Sequence, residues 1–435
     1  MSNNDARDRI ALLRGRARKW TLIHLEKFAY RVAGLPMALR PRRGEATSAA
    51  EYLHHRYRTH YWRLPWGPLI GVVAALAWPI ALAVTVIQCT SRNGAAIRSR
   101  TGKSIAVQVV EQLRAAAGQS IAPIWYYMFE LFDDERQGKA GLYLTAHETI
   151  AGAYAVLEPR DGSDIMADKV WFAATCREKG VFAVPVILNA SKGSIHFQAG
   201  EAQTLPEMDL FVKPRVGNGG HNSERWDFVD GGRFRSSRGR IFASGELLQW
   251  LSELSLKEDY IVQPRLINHP LLDDISNDAL ATVRVLTCRN EQGEFEATNT
   301  AFRMAIGANS VVDNFHQGGI AAPVEFATGR LGLASDIGKT PDVGWRHSHP
   351  VTGAPFLGRV LPYWADVIAL ACQAHAAFPQ RTAVGWDVAM LRDGPCIIEG
   401  NASPDLDIHQ RAERRPLGDQ RIAELLAFNL RNVPG

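Results

Sequence analysis

The sequence predicts an α/β (α+β) chain with two or three cored domains, preceded by a basic region and an apolar segment. Three observations carry this. The chain has 435 residues, 46% of them hydrophobic, enough to bury more than one core. Short apolar runs of strand character alternate with helical stretches beyond residue 105. An uncharged run extends from Trp66 to Ile87. Five cysteines (Cys89, Cys176, Cys288, Cys372, Cys396) show no paired spacing, which argues against a disulfide framework or a zinc site and for a reducing compartment. No low-complexity tract or repeat is evident.

Residues 1–65 hold 14 Lys/Arg against 5 Asp/Glu, a net of +9; the whole chain is +4, so the remainder sums to −5. A basic arm on a mildly acidic body points to an anionic surface as partner. The segment that follows makes that surface a membrane, and no nucleic acid partner is expected. The run 66–87 is long enough to cross a bilayer at about 1.5 Å per residue, with Trp62 and Trp66 near one interface. It starts too late for a signal peptide. Arginines flank both sides, so the positive-inside rule gives no direction. Pro68 and Pro79 predict a kink, and a segment that dips into the inner leaflet and returns. A single span and a buried soluble helix remain the alternatives.

Residues 105–160 read mainly as helix, with Val107, Val110, Leu113 and Ala117 at a three-to-four spacing. Residues 165–205 read as alternating helix and strand, around Asp168-Lys169 and Val181–Leu188. Asp209–Pro214 is a strand carrying Lys213, followed by the glycine loop Gly217-Asn218-Gly219-Gly220. Glu258–Pro264 is a strand leaving through a proline. Residues 280–330 contain strands Thr282–Thr287 and Phe295–Met304, with a turn at Asn290–Gly293. Pro362–Phe378 is a helix. A hairpin then runs from Thr382 through Arg392-Asp393-Gly394-Pro395 to Asn401.

That hairpin places Asp387 beside Glu399 and Asn401, three oxygen donors suited to a hard cation such as Mg²⁺ that shares its shell with nucleotide phosphates. The structural alternative is a hairpin with acidic residues facing water. Lys213 and the glycines supply a point charge and backbone N–H groups for phosphate. The glycine loop lacks the Gly-Lys-Ser/Thr of a P-loop, and a flexible hairpin tip explains it as well. Arg284 and Arg303 lie on cleft strands, where an arginine stabilises an acyl phosphate, fixes a carboxylate or pairs with a nearby acid. Asn314, His316, Gly318 and Gly319 are candidates for holding a substrate. His347 or His349 is a candidate acceptor-site base; as a zinc fragment His-Ser-His lacks further ligands.

The order of lysine strand, glycine loop, hinge strand and Asp…Glu-x-Asn resembles the ATP-grasp superfamily, and more narrowly its sugar-transfer-associated members. Tyr126–Leu131, Thr282–Thr287 and Asp313–Ile320 are also similar to the narrower family. The resemblance covers roughly residues 105 to 425. It implies two α/β subdomains clasping ATP. Lys169 and Lys213 would be the phosphate lysines, with Gly217, Gly219 and Gly220 in the lid loop and Gln263 at the adenine hinge. Asp387, Glu399 and Asn401 would be the Mg²⁺ (or Mn²⁺) ligands, and Arg284 and Arg303 act at the reacting centre. Many relatives carry an acidic hinge residue in place of Gln263, leaving the ribose contact to a substitute such as Glu258.

The domains expected are a basic arm (1–65), a membrane segment (66–88), a helical region (89–160) and the ATP-grasp domain (161–425), its lid at about 206–265. The implied activity is ADP-forming ligation of a small carboxylate to an amine or hydroxyl, through an acyl phosphate. The acceptor would be glycan or lipid-linked, at the cytoplasmic side of the inner (plasma) membrane. A ligase making a small peptide and a non-catalytic membrane scaffold are the alternatives.

Overall fold

The computed structural model describes residues 48–63, 67–157, 165–198, 204–217, 222–306, 315, 318–339 and 344–433. These form two compact units: the first from residues 1–153, 338–342 and 414–419, the second from the rest.

The first unit is helical: α1 (Ala49–Arg63), α2 (Gly67–Thr101), α3 (Ile105–Gln119) and α4 (Pro123–Met128), followed by short turns. α2 runs 35 residues without a break through Pro79. The expected dip and return within 66–88 is therefore not present. A single proline removes one hydrogen bond, and the turns on either side hold the helix together. The chain reverses instead at Gly102-Lys103-Ser104. There Gly102 takes a positive φ of 76° and Ser104 caps α3 by accepting from Val107 N. On α3, Val107, Val110, Leu113 and Ala117 are exposed, and Gln108, Glu111 and Gln112 are buried. Two late excursions of the chain belong to this unit. Arg414 donates to Glu130 Oε2 (2.9 Å), and Gly418 N donates to Leu142 O (2.9 Å).

The second unit holds two sheets. After α5 (Lys169–Glu178) come β1 (Leu188–Ser191), β2 (Ser194–Phe197), β3 (Leu210–Pro214), β4 (Glu224–Val229), β5 (Arg233–Ser236) and β6 (Ile241–Ala243). Then follow α6 (Ser244–Leu254) and β7 (Tyr260–Pro264). The strands form one sheet in the order β2-β1-β7-β3-β4-β5-β6. It begins at Leu188, earlier than the lid boundary at 206. Alternation divides its faces. Leu210, Val212, Tyr260 and Val262 pack with Leu247 and Leu251 of α6. Phe211, Lys213, Ile261 and Gln263 share the other face, in the register Phe211↔Gln263 and Lys213↔Ile261.

The second sheet contains β8 (Thr282–Arg289), β9 (Phe295–Met304), β10 (Ile320–Pro323), β11 (Ala383–Leu391) and β12 (Gly394–Asn401), in the order β10-β9-β8-β11-β12. Behind it lies α7 (Trp364–Ala377); α8 (Asp407–Glu413) and α9 (Arg421–Arg431) complete the unit. The β8–β9 turn is shaped by Asn290, whose Oδ1 accepts from Gln292 N and Glu294 N. One face is apolar: Val283, Val285, Phe302, Val384, Trp386, Val388 and Ile397 pack with α5 and α7 residues in the main core. The opposite face carries the charges.

Candidate nucleotide and acyl-transfer site

Register alone puts the predicted groups on one face. Asp387 pairs with Glu399 on β12 and with Arg284 on β8, and Gly385 pairs with Asn401. Arg284 pairs with Ala301, two residues from Arg303 on the same face of β9. Directly paired residues point the same way, so five polar side chains line up across three neighbouring strands and β12. The hairpin turns through Arg392-Asp393, and a bulge at Asp387/Val388 shifts the register just beyond the acid pair.

Asp387 is buried and held by two arginines: Arg284 Nε at 2.5 Å from Oδ1 and Arg303 Nη2 at 2.9 Å from Oδ2. Burial alone would raise its pKa; the two guanidinium groups outweigh burial and hold the carboxyl below the usual range. Both arginines therefore take the ion-pairing role in this state. Gly385 makes room for this, since the Arg284 side chain lies 3.2 Å from where its β-carbon would be. Asn401 Nδ2 donates to Gly385 O (3.3 Å), which leaves the amide oxygen as its cation-facing group.

The lysines come from β3 of the other sheet and from the start of α5. Lys213 is buried, and burial pulls its pKa down to about 8 against the opposing pull of Glu399. Lys169 opens α5, whose N-cap Asp168 accepts from Val170 N and Trp171 N and is gripped by Arg215 (2.6 Å). Its Nζ donates to the carbonyl of Gly217 (2.9 Å), at the root of the glycine loop. Burial lowers its pKa too, opposed by Glu399, Asp168 and Glu258. With Asp168 committed to Arg215, four cationic groups (Lys169, Lys213, Arg284, Arg303) face Asp387 and Glu399, with Glu258 at the margin. The site carries net positive charge and suits a polyanion.

The donor set fits a divalent cation in part. Among the described residues no cluster of three His, Cys, Asp or Glu side chains could hold a metal ion by itself. Glu399 and Asn401, two residues apart on one strand face, are suitable ligands once phosphate oxygens complete the shell. Asp387 joins them only by releasing a guanidinium.

Other predicted residues fall elsewhere. Gly219, Gly220, Asn314 and His316 lie outside the described residues. Gly318 and Gly319 enter β10, at the sheet edge opposite β12. Gln263 shares its sheet face with Lys213, but its amide is buried and reaches Val184 O (3.4 Å). His349 is not an acceptor-site base. It is buried, Nε2 meets Ala305 O (2.9 Å) and Nδ1 accepts from Thr352 N (3.2 Å), so both nitrogens are spent on holding a turn. His347 is exposed.

One buried group at this face was not singled out from sequence. His409 of α8 is fully buried beside Arg284 and Arg303 and next to the Thr300 backbone. Burial first, then Arg284, depress its pKa to about 3, so the ring is neutral at pH 7. The signal was present in the run Asp405–His409 directly after Ser403-Pro404, but helix packing was needed to aim it.

Gly400 separates Glu399 from Asn401, and a β-carbon there would meet Met166 Cε and lie 2.8 Å from the Trp386 ring. Gly400→Ala is expected to cost about 1–3 kcal/mol by overpacking. A thermal melt checks this, and an unchanged Tm would contradict the packing described.

No curated protein sequence matches the chain. Similar solved structures include D-alanyl-alanine synthetase A from Vibrio cholerae (9% identity, TM-score 0.36, 62% of this chain). An L-amino acid ligase from Bacillus licheniformis (12%, 0.34, 61%) and a D-alanine–D-alanine ligase from Bacillus anthracis complexed with ATP (11%, 0.34, 62%) are others. The chain spans 65%, 48% and 66% of their respective lengths. The profile of one family, described as sugar-transfer associated ATP-grasp, matches residues 153–423, more than half of the chain. The chain belongs to the sugar-transfer associated ATP-grasp family.

Proposed function

We propose that the protein is an ATP- and Mg²⁺-dependent, ADP-forming carboxylate ligase. The observation that carries the reading is the net-positive face where buried Lys213 and partly buried Lys169 oppose Glu399, which calls for a polyanionic ligand. Lys169 and Lys213 neutralise and orient the phosphates. Glu399 and Asn401, with Asp387 if a guanidinium turns away, would hold Mg²⁺, which supplies charge neutralisation at the β- and γ-phosphates. A carboxylate oxygen of the first substrate attacks the γ-phosphorus; the bond to the β,γ-bridging oxygen breaks and ADP leaves. An amine, or a hydroxyl in the ester variant, then attacks the acyl carbon. Phosphate departs with the bonding pair and the nucleophile gives up a proton. Arg284 and Arg303, once released from Asp387, would stabilise the acyl phosphate as it forms.

For the acceptor we propose a cell-surface polysaccharide or its lipid-linked precursor, modified at the cytoplasmic side of the inner membrane. Support comes from the family description and from the apolar helix α2, of which Ala75–Thr101 meets the length and composition of a membrane span. A ligase making small amino-acid conjugates is the competing reading.

Calorimetry of ATP on the full-length protein, with and without Mg²⁺, tests the proposal. Binding is expected to require Mg²⁺ and to weaken at least about tenfold in Glu399→Gln, the loss of one charged ligand. Mg²⁺-independent binding of equal strength in both proteins would refute the ligand assignment. No binding by a folded protein would favour a scaffold.

A further inference from the structure

α3 is inverted relative to a helix of a soluble domain. Val107, Val110 and Leu113 are 44%, 44% and 41% exposed, while Gln108, Glu111 and Gln112 on the inner side are 0%, 7% and 0% exposed. An amphipathic helix surrounded by water turns the other way. Most of the inward polar groups have found partners, Gln112 Oε1 being an exception among the described residues. Gln108 Nε2 donates to Gly94 O (3.1 Å) and Lys103 O (2.9 Å). Gln112 Nε2 donates to Thr90 Oγ1 (2.9 Å), and Glu111 accepts from Tyr126 OH (2.6 Å) and Lys103 Nζ (2.7 Å). A hydrogen-bonded polar seam between helices with an apolar outside is the arrangement that hydrocarbon favours: polar contacts join the helices and apolar side chains face the solvent.

The outward face of α3 is continuous with another. On α2, Leu69, Val73, Leu76, Ile80, Val84 and Ile87 are exposed and recur every three or four residues, a single stripe. From Leu69 to Ile87 it runs about 27 Å, close to the thickness of a hydrocarbon core. Ala116, in the last turn of α3, packs on Leu82 and Val86, so that turn lies level with the end of the stripe, while the bonds of Gln112 to Thr90 and Gln108 to Gly94 set the earlier turns of α3 beside the next turns of α2. Beyond it α2 exposes Arg92, Arg98 and Arg100, at the depth where anionic headgroups would begin. Arg114, the one charge on the outer face of α3, is long enough to reach the same depth.

We propose that α3 is a second lipid-facing helix, with Val107, Val110 and Leu113 lying at the boundary between acyl chains and headgroups of the leaflet that α2 leaves. The α2–α3 hairpin, joined by its polar seam, is thus the membrane-embedded unit. The occupant is a phospholipid bilayer with anionic headgroups, because the stripe has bilayer length and ends in arginines. This rests on the membrane reading of α2, and the test separates the two.

A photoreactive diazirine amino acid is placed singly at Val110, Leu113, Ile80 and, as control, exposed Gln249 of the second unit. Each full-length protein is reconstituted in vesicles of phosphatidylcholine and phosphatidylglycerol, and adducts are read by mass spectrometry. Lipid adducts at Val110, Leu113 and Ile80, at least about tenfold above Gln249, are expected. Lipid at Ile80 alone overturns the role of α3 and leaves that of α2 standing, whether Val110 and Leu113 then label residues 1–47, a second copy or only solvent. Lipid at none of the three overturns both.

Discussion

Lys213→Met is expected to lower kcat/KM for ATP-dependent turnover at least about 100-fold, as removal of a preorganised charge at a transferring phosphoryl group does. The same change should leave the protein as stable as before, or more so. Burial lowers the Lys213 pKa from 10.5 to about 8, so keeping the amine charged in the folded protein at pH 7 costs roughly 3 kcal/mol. Methionine has a similar length and no charge to desolvate. The pH dependence follows. Below about pH 8 both folded and unfolded states hold the proton and the cost is fully present. Between pH 8 and 10.5 only the unfolded state holds it, so the wild type gains stability with rising pH and the gap to Lys213→Met closes. Melts at pH 7 and pH 10, beside turnover of the folded variant, measure both parts. Wild-type turnover in Lys213→Met would remove the phosphate assignment; a lower Tm at pH 7 would show that the amine is stabilising where it sits. ATP affinity is likewise expected to fall above pH 8, as Lys213 loses its charge.

Asp387→Leu should destabilise the second unit by about 3–5 kcal/mol, because it strands two buried guanidinium groups without a counter-charge. In a unit of this size that corresponds to a Tm drop on the order of 10 °C. Replacing Arg284 and Arg303 by methionine in the same chain should restore much of the loss, since the charges and their desolvation disappear together. The Asp387 pKa is held below its ordinary value, so its stabilising contribution is present above about pH 4 and lost as pH falls through the folded-state value. Wild type should therefore lose stability on acidification in a window where Asp387→Leu is flat. Equal stability of the two proteins at pH 7 would contradict the paired arrangement. One consequence is practical. A substitution at Asp387 confounds ligand loss with unfolding, whereas Glu399 is half-buried and, among the described residues, accepts no arginine hydrogen bond, so Glu399→Gln reports on the site more cleanly.

The hairpin with Asp387, Glu399 and Asn401 was legible because two apolar runs around a short polar turn can pair in few ways, and side-chain period 2 then fixes the face. The strand carrying Lys213 was legible for the same reason, and its alternation separates Leu210 and Val212 from the lysine. The family-defining order of motifs could also be read along the chain, since it consists of residue types at intervals.

Non-local contacts were not legible. The partners of Asp387 lie about one hundred residues upstream, on strands whose neighbours only the sheet order decides. The start of the seven-stranded sheet at Leu188 and the return of residues 414–419 to the first unit have no local signal. The α3 face shows the limit most clearly. Its periodicity correctly indicated an amphipathic helix, but period marks two faces without saying which is inside. That depends on what surrounds the helix, and here the polar face has its partners on α2 and α4. Local spacing thus determined the elements and the chemistry they carry. The tertiary structure decided which charges neutralise one another and which faces are covered, because both are set by contacts between segments far apart in the chain.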